Sequence, residues 1–263
     1  MTVNLPEAGL AVCLPSNVVG MLITCLRLTS VLNALASGHL TAPEAEAEIR
    51  VLGQPHHVVD PDQVLGLQTA QSVPIRSAFA RLDSDGQRAS WALAAPRPGR
   101  LAGLRGPAVT TAAALQAGAV VIRHTGGVAW VPFLVGPAVQ WTLLPADPPL
   151  LPAPPATASR ALAETVLEVE RDLAALGAPA GSRPGQRLGP RLGPAYPYGA
   201  QLLLEKALAL HEACRYGLQA SNQLFSSHEV TQREQHLQRL DGVCLDTICS
   251  AASWPVAAQA AGH

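Results

Sequence analysis

Lysine is nearly missing from this chain: Lys206 is the only one, and arginine carries nearly all of the positive charge. Charged residues of all kinds make up 14% of the sequence, against 48% apolar residues. That balance excludes a disordered chain, which is charge-rich and apolar-poor. Net charge is −1, so no overall field draws the protein to nucleic acid or to an anionic membrane. Phosphate-loop, dinucleotide and G-x-S-x-G patterns are all missing. No two of the five cysteines form C-x-x-C, which argues against a redox motif or a zinc ribbon. Cys244 and Cys249 are five apart, roughly 140° around a helix, and so point to different faces. The expectation is five reduced, mutually unpaired thiols in a cytoplasmic protein.

A long charge-free span is also lacking. Val18 to Leu35 is apolar, but Asn17, Arg27 and Asn33 interrupt it, with Thr24, Thr29 and Ser30. No basic segment precedes it. The stretch therefore predicts an amphipathic helix over 17–36 with one side buried, and neither a membrane span nor a targeting peptide.

What is present divides into three parts. Residues 1–144 read as an α+β domain. After the first helix, Thr41-Ala42-Pro43-Glu44 is a capping box that opens a second. Residues 54–62 read as a solvated loop carrying His56, His57, Asp60 and Asp62, and a third helix starts near Ser72 and ends near Leu82. From residue 88 the period changes. Arg88–Ala95, Ala119–Arg123, Val128–Leu134 and Ala138–Leu144 predict a small, mostly antiparallel sheet of four strands, with one helix over 108–117. His124-Thr125-Gly126-Gly127 is a hairpin signal. Trp91, Trp130 and Trp141 are expected on the packed face.

Residues 145–156 form a proline-rich connector, with six prolines in the eleven residues 145–155, a density that predicts extended chain. Residues 157–263 read as a helical region. Leu162, Val166, Val169, Leu173 and Leu176 stripe one helix; Leu203, Ala207, Leu210, Cys214 and Leu218 stripe a second. Ser226 and Glu229 open a third, and Asp241 is expected to cap a separate short fourth. Between the first two lies a Gly/Pro/Arg loop at 178–199 with a four-residue repeat.

Chain segments 88–98 and 103–108, together with Ala113-Ala114-Leu115-Gln116-Ala117-Gly118-Ala119-Val120, Val128–Pro132 and the helix around Val166–Leu176, carry a resemblance. On these the chain resembles a family of actinobacterial conserved hypothetical proteins to which no activity is attached. The resemblance implies a strand ending in a Pro/Gly loop, a helix start and a hairpin, with an acidic residue in the loop. Here that loop holds Arg97, Arg100 and Arg105 instead.

Candidate chemistry is sparse. His211-Glu212 and His228-Glu229 begin like the zinc-protease helix, but Arg215 and Gln232 stand where the second histidine belongs. Asp83-Ser84-Asp85-Gly86 begins like a calcium loop, but Ala94 stands at the closing glutamate. The expectation is no metal, no cofactor and no catalytic residue. His56 and His57 beside Asp60 and Asp62 are too few to specify a metal or an acid–base pair. The loop from Pro96 to Pro107 is the best ligand candidate. Gly103 and Gly106 let the backbone approach an anion at a helix start, Arg97, Arg100 and Arg105 supply charge, and His124 lies on the neighbouring hairpin.

Two functional readings stand side by side. One is a non-enzymatic cytoplasmic protein acting through protein partners, with the proline connector and the 178–199 loop as contact segments. The other is a ligand-binding protein or enzyme using the Pro96–Pro107 loop on an anionic metabolite. Nucleic-acid contact through Arg183, Arg187 and Arg191 is the weakest alternative.

Overall fold

A computed structural model describes residues 16–50, 53–68, 71–84, 89–176, 189–219 and 227–256. Seven helices and a six-stranded sheet make an α+β fold among these residues. The elements are α1 (Ser16–Ala36), α2 (Ala42–Arg50), β1 (His56–Val59), β2 (Val73–Pro74), α3 (Ile75–Ser84), β3 (Trp91–Ala94) and α4 (Ala108–Ala117). They continue with β4 (Val120–Arg123), β5 (Ala129–Val135), β6 (Ala138–Leu144), α5 (Pro155–Ala175), α6 (Tyr198–Gln219) and α7 (Ser227–Ser253).

The four expected strands are β3 to β6, antiparallel throughout, and α4 is inserted after β3 as expected. The sheet does not stop at four. Its order is β2-β1-β6-β5-β4-β3, and β1 lies parallel to β6. The expected solvated loop at 54–62 thus contains β1, which makes the sheet mixed. His56 and Val58 turn into the core while His57 and Val59 are half-buried. Four residues headed by two histidines give too short an alternation to separate from a loop.

One face of the sheet meets α1, α3 and α7, and the tryptophans lie there as expected. Trp130 sits edge-on to Trp91 and to Trp141, at centroid separations of 6.4 and 6.2 Å, and beside Phe79 of α3. Such offsets add to the area these rings bury. Contacts from α4 cover part of the opposite face, through Ala114, Ala117, Val120, Ile122, Ala129 and Val131.

α1 departs from the expected amphipathic helix by being buried nearly all round. None of the described helices is long and apolar enough to cross a membrane. The polar residues within α1 are used inside the protein. Thr24 and Thr29 donate to the Gly20 and Cys25 carbonyls one turn back, and Ser30 Oγ accepts the Gly193 N–H. Asn33 reaches the outer edge of β3, where its amide donates to the Trp91 carbonyl and its oxygen accepts the Trp91 N–H, at 3.0 and 2.8 Å. Ser253 at the end of α7 does the same for Leu93 N–H. Side chains thus close an edge strand that another chain would otherwise extend.

Half of the capping box at Thr41 and Glu44 forms: Glu44 Oε2 accepts the Thr41 N–H at 2.8 Å, while the Thr41 hydroxyl donates to the same carboxylate at 2.7 Å. The α5 stripe faces the core through Leu162 and Val169, with Val166 and Leu173 half-buried beside them. Ser226 falls outside the described residues, so the second capping box does too. The separate helix expected after Asp241 does not exist, because α7 runs unbroken to Ser253. The Asp241 carboxylate turns sideways to His211 of α6 instead of capping.

Candidate functional site

The Pro96–Pro107 loop is built as a pinned turn. Arg97 and Arg100 exchange backbone hydrogen bonds at 2.9 and 2.8 Å. Their side chains run to α7. Arg100 pairs with Asp246, and the Arg97 guanidinium lies over Gly242, so close that a Cβ there would meet Nη2 at 2.6 Å. Burial raises the Asp246 carboxyl, and the two guanidiniums pull it back. This pair of arginines therefore latches the loop onto the last helix.

The proline segment closes over the other half of the loop. Leu150 N–H donates to Gly103 O and Asp147 N–H to Gly106 O, at 2.9 and 3.2 Å. Gly103 has φ +88, and a Cβ on it would lie 2.1 Å from the Leu150 carbonyl oxygen, so only glycine allows this approach. Asp147 Oδ2 stands 3.1 Å from where a Gly106 side chain would begin. The expected extended chain from 145 is present, but as a strap tied to the loop. At the hairpin, Gly127 N–H holds the Ala146 carbonyl at 2.7 Å.

The sequence-derived anion set is thus dispersed. Arg97 and Arg100 face α7. Arg105 is exposed, and Gly103 and Gly106 are covered by the strap. His124 is half-buried and turned to the Ser253 backbone, and burial lowers its pKa. Arg191 is exposed on the described part of the 178–199 loop, whereas Arg183 and Arg187 lie outside the described residues.

Two polar constructions were not legible as such in the sequence. At the α6–α7 interface His211 Nδ1 meets Asp241 Oδ1 at 2.6 Å, and the Cys244 thiol lies against that of Cys214. The described cysteines, Cys25, Cys214, Cys244 and Cys249, are free and buried; Cys13 is outside the described residues. Burial raises the Cys25 thiol well above its usual value and pushes Cys249 up to about 12. Hydrogen bonding to Cys214 raises Cys244 first, and burial adds to it. Such protonated thiols are poor nucleophiles. No three His, Cys, Asp or Glu side chains among the described residues converge as metal ligands.

The second construction surrounds β1. Asp60 is fully buried and is spent on the backbone, accepting the N–H groups of Val64, Leu65 and Leu67. His56, 4% exposed, accepts the Trp141 indole N–H on Nδ1 at 3.1 Å. Burial first, then the charges of His57, Arg27 and Arg50, push its pKa down from 6.5 to about 4. The unfolded chain takes up a proton near pH 6.5 that the folded imidazole refuses down to about pH 4. Stability from this site is full above pH 6.5 and falls as the solution is acidified through that window. We expect wild type at pH 5 to lose on the order of 2 kcal/mol relative to pH 8 through His56. Urea unfolding of wild type and His56→Gln at both pH values checks this, and an unchanged acid dependence in the variant refutes it.

Residues 26–176 match the family model described as Rv1486c-like protein, N-terminal domain. That is more than half of the chain, from within α1 to the end of α5, and the chain belongs to this family. The whole Pro96–Pro107 loop and its strap lie inside the match, and α6 and α7 lie outside it. No curated protein and no solved structure matches the chain.

Proposed function

For a member of the Rv1486c-like family, we propose a non-enzymatic role exercised through a protein partner that docks on the strap and the loop beneath it. The observation that carries this reading is a group of exposed leucines held on rigid backbone. Leu101, Leu150 and Leu151 are 45, 61 and 37% exposed, and the backbone bonds at Gly103 and Gly106 hold their two segments together. Val109 in the first turn of α4 and Arg105 in the loop are exposed as well. Rigid apolar side chains with an arginine nearby suit a protein interface, because little entropy remains to be lost on docking. The latch on α7 serves the same end by fixing the loop. Free thiols in the described residues accord with a cytoplasmic setting, and the net charge of −1 favours neither nucleic acid nor membrane as the partner.

The test is co-purification from native cells with wild type and with the double variant Leu101→Asp, Leu150→Asp. Both residues are exposed, so the variant should keep the fold, which its melting curve checks. A partner held at constant stoichiometry by wild type and lost from the variant is the expected result. Equal recovery by both proteins removes the strap from the interface.

A further inference from the structure

We infer that the protein partner carries a groove lined by aromatic rings with a carboxylate at its rim, and that this groove takes residues 147–154 of the strap as a polyproline II ligand. The inference rests on the reading of the strap as a docking surface. Exposure along the strap repeats every three residues. Ala146 is buried and Pro149, Pro152 and Pro155 are half-buried, so this row packs on the body of the protein. Asp147, Leu150 and Ala153 are exposed, and so are Pro148, Leu151 and Pro154. Three residues per turn is the period of polyproline II, whereas a strand gives 2 and an α-helix 3.6. Pro154 has φ −55 and ψ 150, within the scatter of that conformation.

Hydrogen bonding selects among the ways a partner can read an extended chain. Strand addition needs N–H donors along one edge. Pro148, Pro149, Pro152 and Pro154 have none, and the Asp147 and Leu150 N–H groups are spent on Gly106 and Gly103. The Pro145, Ala146, Pro152 and Ala153 carbonyls are held by Thr110, Gly127, Trp254 and Ser250. These bonds fix both ends of the strap. They leave the carbonyls of Pro148 and Leu151 without a donor among the described residues. A polyproline II groove asks for no N–H donor in its ligand, and docks it against aromatic side chains. Tyrosine and tryptophan in such a groove also bring an O–H or N–H to free carbonyls. Here two faces of the three-sided helix are open and the third is already packed, so little ordering remains on binding. Charge supplies the rim. Arg97 and Arg100 are held at α7, but the exposed Arg105, next to Gly106, forms no ion pair among the described residues, Asp147 included. A carboxylate on the partner complements it.

The experiment identifies the protein recovered by wild type in the co-purification, produces it pure, and titrates it calorimetrically with the full chain. The strap variant Pro148→Ala, Leu151→Asn and the single variant Arg105→Gln are titrated alongside, with melting curves to check their folds. An oligoproline as long as the strap is the competitor, and a Gly/Ser peptide of the same length is its control. The expected result is displacement of the wild-type chain by oligoproline and not by the Gly/Ser peptide. Binding should weaken roughly tenfold or more in the strap variant and severalfold in Arg105→Gln. Displacement by neither peptide overturns the inference, as does wild-type affinity in the strap variant. In either case, loss of the partner from the Leu101→Asp, Leu150→Asp protein would still uphold docking at the strap. Recovery of no partner by wild type, or equal recovery by every variant, overturns both readings.

Discussion

Replacing Asn33 by alanine is expected to cost about 3–5 kcal/mol, a third or more of the stability of an ordinary domain. The amide makes three hydrogen bonds at once. It serves both backbone groups of Trp91, and its Nδ2 also donates to Tyr196 Oη at 2.6 Å. Tyr196 in turn donates to the Ala252 carbonyl, so α1, β3, α7 and the segment before α6 meet at one side chain. Truncation leaves a buried donor and acceptor on β3 unpaired, and each such group costs about 1–3 kcal/mol. Urea unfolding measures the loss, and a value under about 1 kcal/mol would show that water replaces the amide. In the variant, the Trp91 amide should also exchange faster than in wild type.

A comparable loss, about 3–5 kcal/mol, is expected for Asp60→Ala. Its carboxylate accepts three N–H groups at 2.8, 3.0 and 3.1 Å with no solvent access. Bonds to an ionised acceptor are roughly twice as strong as neutral ones. The turn it organises is tied onward to α3 through Arg81 Nε and the Leu65 carbonyl at 3.1 Å. Asp60→Asn keeps the shape but sets an amide NH₂ against one backbone N–H, so an intermediate loss is expected. Unfolding curves of the three proteins give the order wild type, Asn, Ala. Hydrogen exchange should report the opening first at Leu65 and Leu67. An alanine variant as stable as wild type would mean that the turn holds itself.

The Asn33 and Asp60 constructions show where reading along the chain runs out. Asn33 argues against a membrane span on sequence grounds, because a polar group in an apolar run is costly. That much is local. Its actual partners are 58 and 163 residues away, and no spacing rule points to them. Asp60 reads as a turn residue, and its turn is real, but the sequence cannot show that the carboxylate is spent on backbone N–H groups rather than left to solvent or to the two histidines beside it. Burial decides between these, and burial belongs to the packed whole.

Arg97 and Arg100 teach the same lesson at the candidate site. Glycine-rich loop, arginines and a helix start are all present where the sequence places them. Arg100 pairs with Asp246, 146 residues away, and Arg97 lies over Gly242, both in a helix whose continuity past Asp241 the sequence does not show. His56 is the converse case. It reads as solvated beside His57 in the sequence, yet its place opposite Val139 on a parallel neighbour makes it a core residue whose Nε2 has no hydrogen-bond partner among the described residues.

The sequence by itself determined the α+β class, strands β3 to β6, the tryptophan face, the helices α1 to α5 and the extended chain between β6 and α5. These rest on periodicity, turn residues and proline geometry, which act over a few residues and so can be read from a few residues. Tertiary structure alone decided that β1 joins the sheet, that α1 is enclosed on nearly all sides, that the Arg97 and Arg100 side chains run to α7, and that the strap leaves Leu150 and Leu151 exposed. A four-residue strand has too little pattern to announce itself. A charged side chain carries no mark of its partner until the chain has brought that partner within hydrogen-bond reach.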